Sequence, residues 1–195
     1  MSPSCRVAIA DQQPQVLSFL RHTVEGLGHD VAAEATSGAA LVEQCRDTSP
    51  DLIIASLELP GENGIEVVRV IQELKPIPLI AMSATCTTAT IDRAAECGAY
   101  AYLVMPIEAS SLQAAITLTM RRYSELQASR HDADLARQAV QDRKAIERAK
   151  GLIMQRLGID EPTAFRHLQT QARRTRKTLA ALADSLLVSE QALSM

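Results

Sequence analysis

Three polar residues stand where short apolar segments of the chain end. Asp11 follows the segment 6–10, Ser56 follows 52–55, and Ser83 follows 78–82. In a parallel α/β sheet the site lies at the carboxyl ends of the strands, so we expect these side chains to meet there. A single carboxylate is a poor magnesium ligand set, because magnesium binds several oxygen atoms and usually one or two carboxylates. The pattern predicts a polar pocket with little to support enzymatic catalysis.

The composition narrows the classes of protein. A chain of 195 residues, 47% apolar, has room for a sizeable core in one large or two small domains. No apolar run approaches the ~20 residues of a membrane helix, and no signal-peptide pattern opens the chain, so we expect a cytoplasmic protein. No metal site or cofactor is predicted. The scattered cysteines are predicted to be reduced and mostly packed in the core: Cys5, Cys45, Cys86 and Cys97.

Charge divides the chain into two parts. Residues 1–140 hold 10 basic and 17 acidic residues, whereas residues 141–195 hold 10 basic and 6 acidic residues. A basic carboxyl-terminal part is typical of a polyanion-binding module. The charge distribution alone fits a solvated helix surface equally well, so it does not show whether this part binds a polyanion.

Strand and helix patterns alternate through residues 5–122. Apolar strands are predicted at 6–10, 31–33, 52–55, 78–82 and 99–104, with amphipathic helices between them. One of these helices is opened by Gly64 and carries Ile65, Val68, Ile71 and Leu74. Continuous apolar strands separated by helices indicate a parallel sheet covered on both faces. The predicted fold is α/β and flavodoxin-like, a (βα)5 domain.

The segment 50–61 resembles the phosphoacceptor strand of two-component receiver domains, which ends in aspartate where this chain has Ser56. Receivers also place two acids after the first strand, and here the matching pair is Asp11 and Gln12. The hydroxyl after the fourth strand is kept as Ser83. The resemblance implies a pocket that once served phosphoryl transfer.

The segment 102–106 resembles the last receiver strand, with the switch aromatic kept as Tyr102 and the lysine replaced by Met105. It also implies a cis bond before Pro106. Serine cannot form an acyl phosphate, and methionine cannot neutralise a phosphoryl oxygen as an ammonium group does. We therefore predict a degenerate pocket that does not accept phosphate. For the polar residues that remain we favour a purely structural role over a residual catalytic one, with Asp11 capping the first helix region and Ser83 making a local turn bond.

Residues 108–158 contain no proline, and their only glycine before the last position is Gly151, so they are predicted to form one long helix or two nearly continuous ones. Apolar residues follow heptad spacing, but Arg130, Arg137 and Lys144 interrupt the same seam. The segment is either a coiled-coil dimer, which we favour, or an exposed linker. We predict domain boundaries at 1–122, 123–142 and 143–195.

Residues 143–190 show three amphipathic helical patterns, which predict an all-α three-helix bundle. Asp160 is a good N-cap for the second helix, and Thr178 is a candidate cap for the third. Arginine suits bidentate phosphate contacts and stacking on unpaired bases. The predicted RNA-binding residues are Arg148, Lys150, Arg156, Arg166, Arg173, Arg174 and Lys177.

The run 146–158, followed by Glu161, Ala164, Phe165, Leu168 and Ala172, resembles an ANTAR domain. That resemblance implies a bacterial antitermination regulator that binds paired stem-loops in leader RNA, usually as a homodimer and without catalysis. It also makes a ligand-sensing regulatory protein a plausible partner. Two other classes remain open from the sequence, a DNA-binding response regulator and a protein–protein adaptor whose basic face is only solvated.

Overall fold

The computed structural model describes residues 4–60, 67–68, 70–71 and 76–193. The chain divides into two compact units, Met1–Leu126 and Gln127–Met195. The predicted helix that Gly64 opens lies largely outside the described residues.

The first unit is built on one five-stranded parallel sheet, in the order β2-β1-β3-β4-β5. The strands are β1 Arg6–Ala10, β2 Asp30–Ala35, β3 Leu52–Ser56, β4 Leu79–Ser83 and β5 Ala101–Val104. The described helices of this unit that lie between strands are α1 Pro14–Gly26, α2 Gly38–Thr48 and α3 Thr88–Glu96. This architecture confirms the predicted flavodoxin-like fold.

Alternate residues of β1, β3 and β4 enter two apolar clusters on opposite faces of the sheet. On β1, Val7 and Ile9 join the cluster that includes Leu20 of α1, whereas Ala8 and Ala10 join the cluster that includes Leu41 of α2. Every residue of β3 and β4 is buried. Burial on both faces explains why these strands are continuous apolar runs.

Three of the four cysteines are core residues, as predicted. Cys5, Cys45 and Cys97 are buried, and Cys86 is exposed. Burial raises the pKa of the Cys45 thiol to about 11, so this group is a protonated packing residue at neutral pH.

A single helix, α4, runs from Ala109 to Leu157. Its first turns pack on the sheet through Leu112 and Ile116, and Tyr123 places its ring edge-on to Tyr100 with centroids 5.8 Å apart. Residues 128–141 are all exposed. Of the two predicted possibilities for this segment, the structure has the continuous helix.

The second unit is a three-helix bundle made by the end of α4, by α5 (Glu161–Thr175) and by α6 (Leu179–Leu193). Ala149, Ile153, Leu168 and Ala183 lie in its core. Both predicted caps form: the Asp160 carboxylate accepts from the Thr163 amide at 3.1 Å, and the Thr178 hydroxyl accepts from the Ala181 amide at 3.2 Å. These bonds satisfy amides at the helix starts that have no intrahelical partner.

Candidate functional site

The predicted pocket residues Asp11, Ser56 and Ser83 lie at the carboxyl ends of β1, β3 and β4. Asp11, Ser56 and Ser83 are 1%, 5% and 0% exposed. β1 and β3 are neighbours in the sheet, and the order of the strands reverses between them. This is the topological switch point at which open α/β sheets form their sites.

Asp11 makes a local contact just before α1, but it does not cap the helix, whose N-cap residue is Gln13 and which has no side-chain cap bond. Its Oδ1 accepts from the Gln13 amide at 2.8 Å, immediately before α1. Burial raises the pKa of the Asp11 carboxyl, and the nearby Glu58 carboxylate raises it further, against hydrogen bonds from the Gln13 amide and the Ser56 side chain. In the folded protein the ionised form of the Asp11 carboxyl is therefore less favourable than it is in water.

Glu58 is a member of the pocket that the sequence analysis missed. The Ser83 hydroxyl lies 3.3 Å from the Glu58 Oε1 and 2.7 Å from the Thr85 carbonyl oxygen, so its single proton serves one of these two acceptors at a time. The Glu58 amide donates to the Ser56 hydroxyl at 3.2 Å. A carboxylate thus contacts the hydroxyl of the last residue of β4.

Ser83 also makes the predicted local turn bond. Its oxygen accepts from the Thr85 amide at 3.1 Å while its hydroxyl faces the Thr85 carbonyl. The Tyr102 hydroxyl donates to that same carbonyl at 2.7 Å and lies 3.0 Å from the Thr90 hydroxyl oxygen. A continuous hydrogen-bond chain therefore connects Glu58 to Tyr102 through Ser83 and Thr85.

The side chains of Gln12 and Met105, which were also predicted to belong to the pocket, lie outside this hydrogen-bond chain. Gln12 is exposed. The Met105 amide donates to the Ser83 carbonyl at 2.9 Å, while the Met105 side chain packs against the apolar cluster on the α1 face. The cis Met105–Pro106 bond that the receiver resemblance implies is present. Near the pocket, the Arg93 guanidinium donates to the Leu57 carbonyl at 2.8 Å.

The described part of the chain contains no group of three or more histidine, cysteine or acidic residues that could hold a metal ion. No helix within it has the length and apolar character to span a membrane.

The second unit carries most of the predicted RNA-binding residues on its surface. Arg156 pairs with Glu190, Arg166 donates to the Thr163 hydroxyl at 3.2 Å, and Lys177 donates to the Ser185 hydroxyl at 3.3 Å. All of the predicted residues except one are exposed: Arg148, Arg156, Arg166, Arg173, Arg174 and Lys177.

The exception is Lys150, which is only 8% exposed. Its ammonium bonds to the carboxylates of Glu147 and Glu161, both of which the sequence analysis left out of the site. Contact between Lys150 and RNA stays a prediction. The burial and ion pairs of Lys150 distinguish this residue from the exposed arginines.

These two units define a response regulator. Residues 7–117 match the response regulator receiver domain and residues 134–187 match the ANTAR domain. The chain belongs to the receiver family and carries an ANTAR domain.

Its similarity to one known protein spans both domains. The chain is 31% identical over 182 residues to the transcriptional regulatory protein PdtaR of Mycobacterium tuberculosis, and the match covers 93% of this chain and 89% of that protein. It is 31% identical over 117 residues to the DNA-binding response regulator MtrA of Mycolicibacterium smegmatis, covering 60% of this chain and 51% of that protein. The CheY-like receiver of Methanospirillum hungatei JF-1 shares the fold, with a TM-score of 0.58, 18% identity, and coverage of 63% of this chain and 98% of that one.

Proposed function

We propose that this protein is a transcription antitermination regulator that binds paired stem-loops in leader RNA as a homodimer. The observation that carries the proposal is the set of exposed basic residues within the ANTAR-matched part of the chain. Arg173 and Arg174 lie in the last turn of α5, and neither is engaged by a carboxylate in a described ion pair. Guanidinium groups of this kind suit phosphate oxygens and unstacked bases.

The receiver is proposed to work without phosphoryl transfer. Ser56 offers a neutral hydroxyl in place of an acid, and the Met105 side chain packs into the apolar cluster rather than supplying a charge. Glu58 brings a further negative charge beside Asp11, which disfavours the arrival of an anionic phosphoryl group. Control would then come from a partner protein or a ligand, with a ligand-sensing regulatory protein as the expected kind.

The homodimer is supported by the exposed section of α4. Leu126 and Val140 belong to the heptad pattern and are 37% and 53% exposed. A second copy of the helix would cover them, although Arg130 and Arg137 on the same seam reduce the apolar area available.

The test is a fluorescence-anisotropy titration of a tandem stem-loop leader RNA with the full chain, without a phosphodonor, across a salt series. Tight, salt-sensitive binding to the tandem RNA but not to a single hairpin is the expected result. Stronger binding to duplex promoter DNA would instead favour a DNA-binding regulator. Absence of salt-dependent binding to either nucleic acid would favour an adaptor.

Phosphoryl transfer is tested separately with acetyl phosphate and with a histidine kinase. The expected result is no shifted band on a gel that retards phosphoproteins, with a receiver that keeps its aspartate as the positive control. A retarded band for this chain would overturn the phosphate-independent part of the proposal and leave the RNA-binding part intact.

A further inference from the structure

Lys150 is the one charged side chain that is buried among the described residues of the second unit. Its neighbours on α4, Arg143, Lys144 and Arg148, are all exposed. A lysine is seldom buried unless its ammonium is paired, because desolvation of an isolated charge is costly. The burial of Lys150 therefore calls for specific partners.

The partners come from two helices. The Lys150 Nζ lies 2.8 Å from the Glu147 Oε2 one turn earlier on α4, and 2.6 Å from the Glu161 Oε1 in the first turn of α5. The ammonium also lies 5.9 Å from the centroid of the Phe165 ring, within the range of a cation–π interaction. One ammonium thus connects α4 to the beginning of α5.

The two carboxylates shield the ammonium from an approaching anion. The side chains of Glu147 and Glu161 are 57% and 62% exposed, whereas that of Lys150 is 10% exposed. An RNA phosphate would meet two negative charges before it reached one positive charge. Direct phosphate contact would require Lys150 to leave both partners and the ring.

We propose that Lys150 is a positioning residue for RNA binding, which acts by holding the start of α5 against α4. This inference rests on the proposed RNA-binding function, since α5 carries Arg166, Arg173 and Arg174. Lys150 contributes to affinity by placing these arginines and makes no phosphate contact of its own.

The direction in which one substitution changes RNA affinity distinguishes positioning from direct contact. Glu161→Gln removes a negative charge and one partner of Lys150. If Lys150 contacted RNA, this change would free the ammonium, reduce repulsion and strengthen binding. Positioning predicts weaker binding, by about five- to tenfold, because one strong bond between α4 and α5 is lost. The salt dependence of binding should stay the same, because no phosphate contact disappears.

The titration uses the full chain and a tandem stem-loop RNA across a potassium chloride series. Glu190→Gln is the matched control, because it also removes one negative charge and releases a basic partner, the exposed Arg156. The control should bind as tightly as the wild type or more tightly. Tighter binding by Glu161→Gln would overturn the positioning role.

A second readout keeps the inference testable apart from RNA. Amide hydrogen exchange in the first two turns of α5 should be faster in Glu161→Gln than in the wild type, and unchanged in Glu190→Gln. Glu147→Gln provides a second variant that leaves the first turn of α5 intact, and it should shift exchange in the same direction. Unchanged exchange in both variants would contradict positioning, whereas a wild type that binds no RNA would contradict the proposed function instead.

Discussion

The hydroxyl of Ser83 faces the carboxylate of Glu58 at 3.3 Å, at the edge of the sheet where a receiver would hold a phosphoryl group. The contact is mostly sheltered, because Ser83 is fully buried and Glu58 is half-buried. It makes Glu58 an anion that the protein itself supplies to this pocket.

A double-mutant cycle measures that contact. Glu58→Ala, Ser83→Ala and the double variant should give a coupling energy of about 1.5 kcal/mol in the unfolding free energy of the receiver unit, at the low end of the range expected for a hydrogen bond with one charged partner. Urea unfolding of the four proteins provides the values. Glu96, an exposed acid at the end of α3, replaces Glu58 in the control cycle and should show no coupling with Ser83. A Glu58–Ser83 coupling energy near zero would show that the contact does not contribute to the stability of the receiver unit.

Tyr102 should stabilise the loop after β4 through its hydroxyl. Tyr102→Phe removes the donor to the Thr85 carbonyl and keeps the ring, so we expect a loss of about 1 kcal/mol and faster amide exchange in residues 85–90. Exchange measured by mass spectrometry checks the second effect. Tyr100→Phe is the control, because Tyr100 contributes its ring to a contact with Tyr123. Equal exchange in the two variants would refute the role of the Tyr102 hydroxyl.

Asp11→Asn should raise the thermal stability of the receiver unit at neutral pH by a few degrees. Burial and the Glu58 charge raise the pKa of Asp11 in the fold, so its ionised form costs stability above that pKa. The asparagine keeps an oxygen for the Gln13 amide and carries no charge.

The Asp11→Asn gain should shrink as the pH falls through the raised pKa and vanish below the ordinary value of 3.8, where both proteins are neutral at this position. Melting curves across pH test this, with Asp92→Asn on the exposed surface of α3 as the control. A gain that persisted at low pH would point to packing rather than charge.

Arginines on α5 should contribute to RNA affinity through phosphate contacts. Arg173→Ala and Arg174→Ala should each weaken binding to the tandem RNA and lower the slope of log affinity against log salt by about 1. Anisotropy titrations at several salt concentrations give the slope. Arg137→Ala is the matched control, since Arg137 is also exposed but pairs with Asp134 in the middle of α4. If the control changed the slope as much as the α5 variants, the binding face would have to include α4.

Much of this fold was predictable because its determinants are local. Apolar runs define β3 and β4, and the caps at Asp160 and Thr178 act within three residues of their own positions. The sequence leaves the continuity of α4 open, because residues 127–134 are its most polar part and Gly151 is a poor helix residue. The cost of ~1 kcal/mol for Gly151 is small beside the packing of Ala149 and Ile153 on either side of it.

The contacts of the functional residues were harder to predict, because their partners are distant in sequence or lie in a loop whose direction the sequence does not specify. Lys150 belongs to a basic helix, and nothing in that helix shows that Glu161, eleven residues later, returns to its ammonium. Glu58 lies two residues beyond a strand, and the sequence does not specify which way such a loop turns its side chains. Sequence separation thus concealed the partners of the buried cation, and the undetermined direction of a loop concealed the pocket anion.

The edge-on pair of Tyr100 and Tyr123 also has a spectroscopic consequence. Together with Tyr102 these are the chain's three tyrosines, all of them lie in the first unit, and the chain has no tryptophan. Tyrosine emission therefore follows the receiver unit alone, whereas far-ultraviolet circular dichroism follows the helices of both units. The melting of the receiver unit can therefore be measured separately from that of the second unit without labelling the protein.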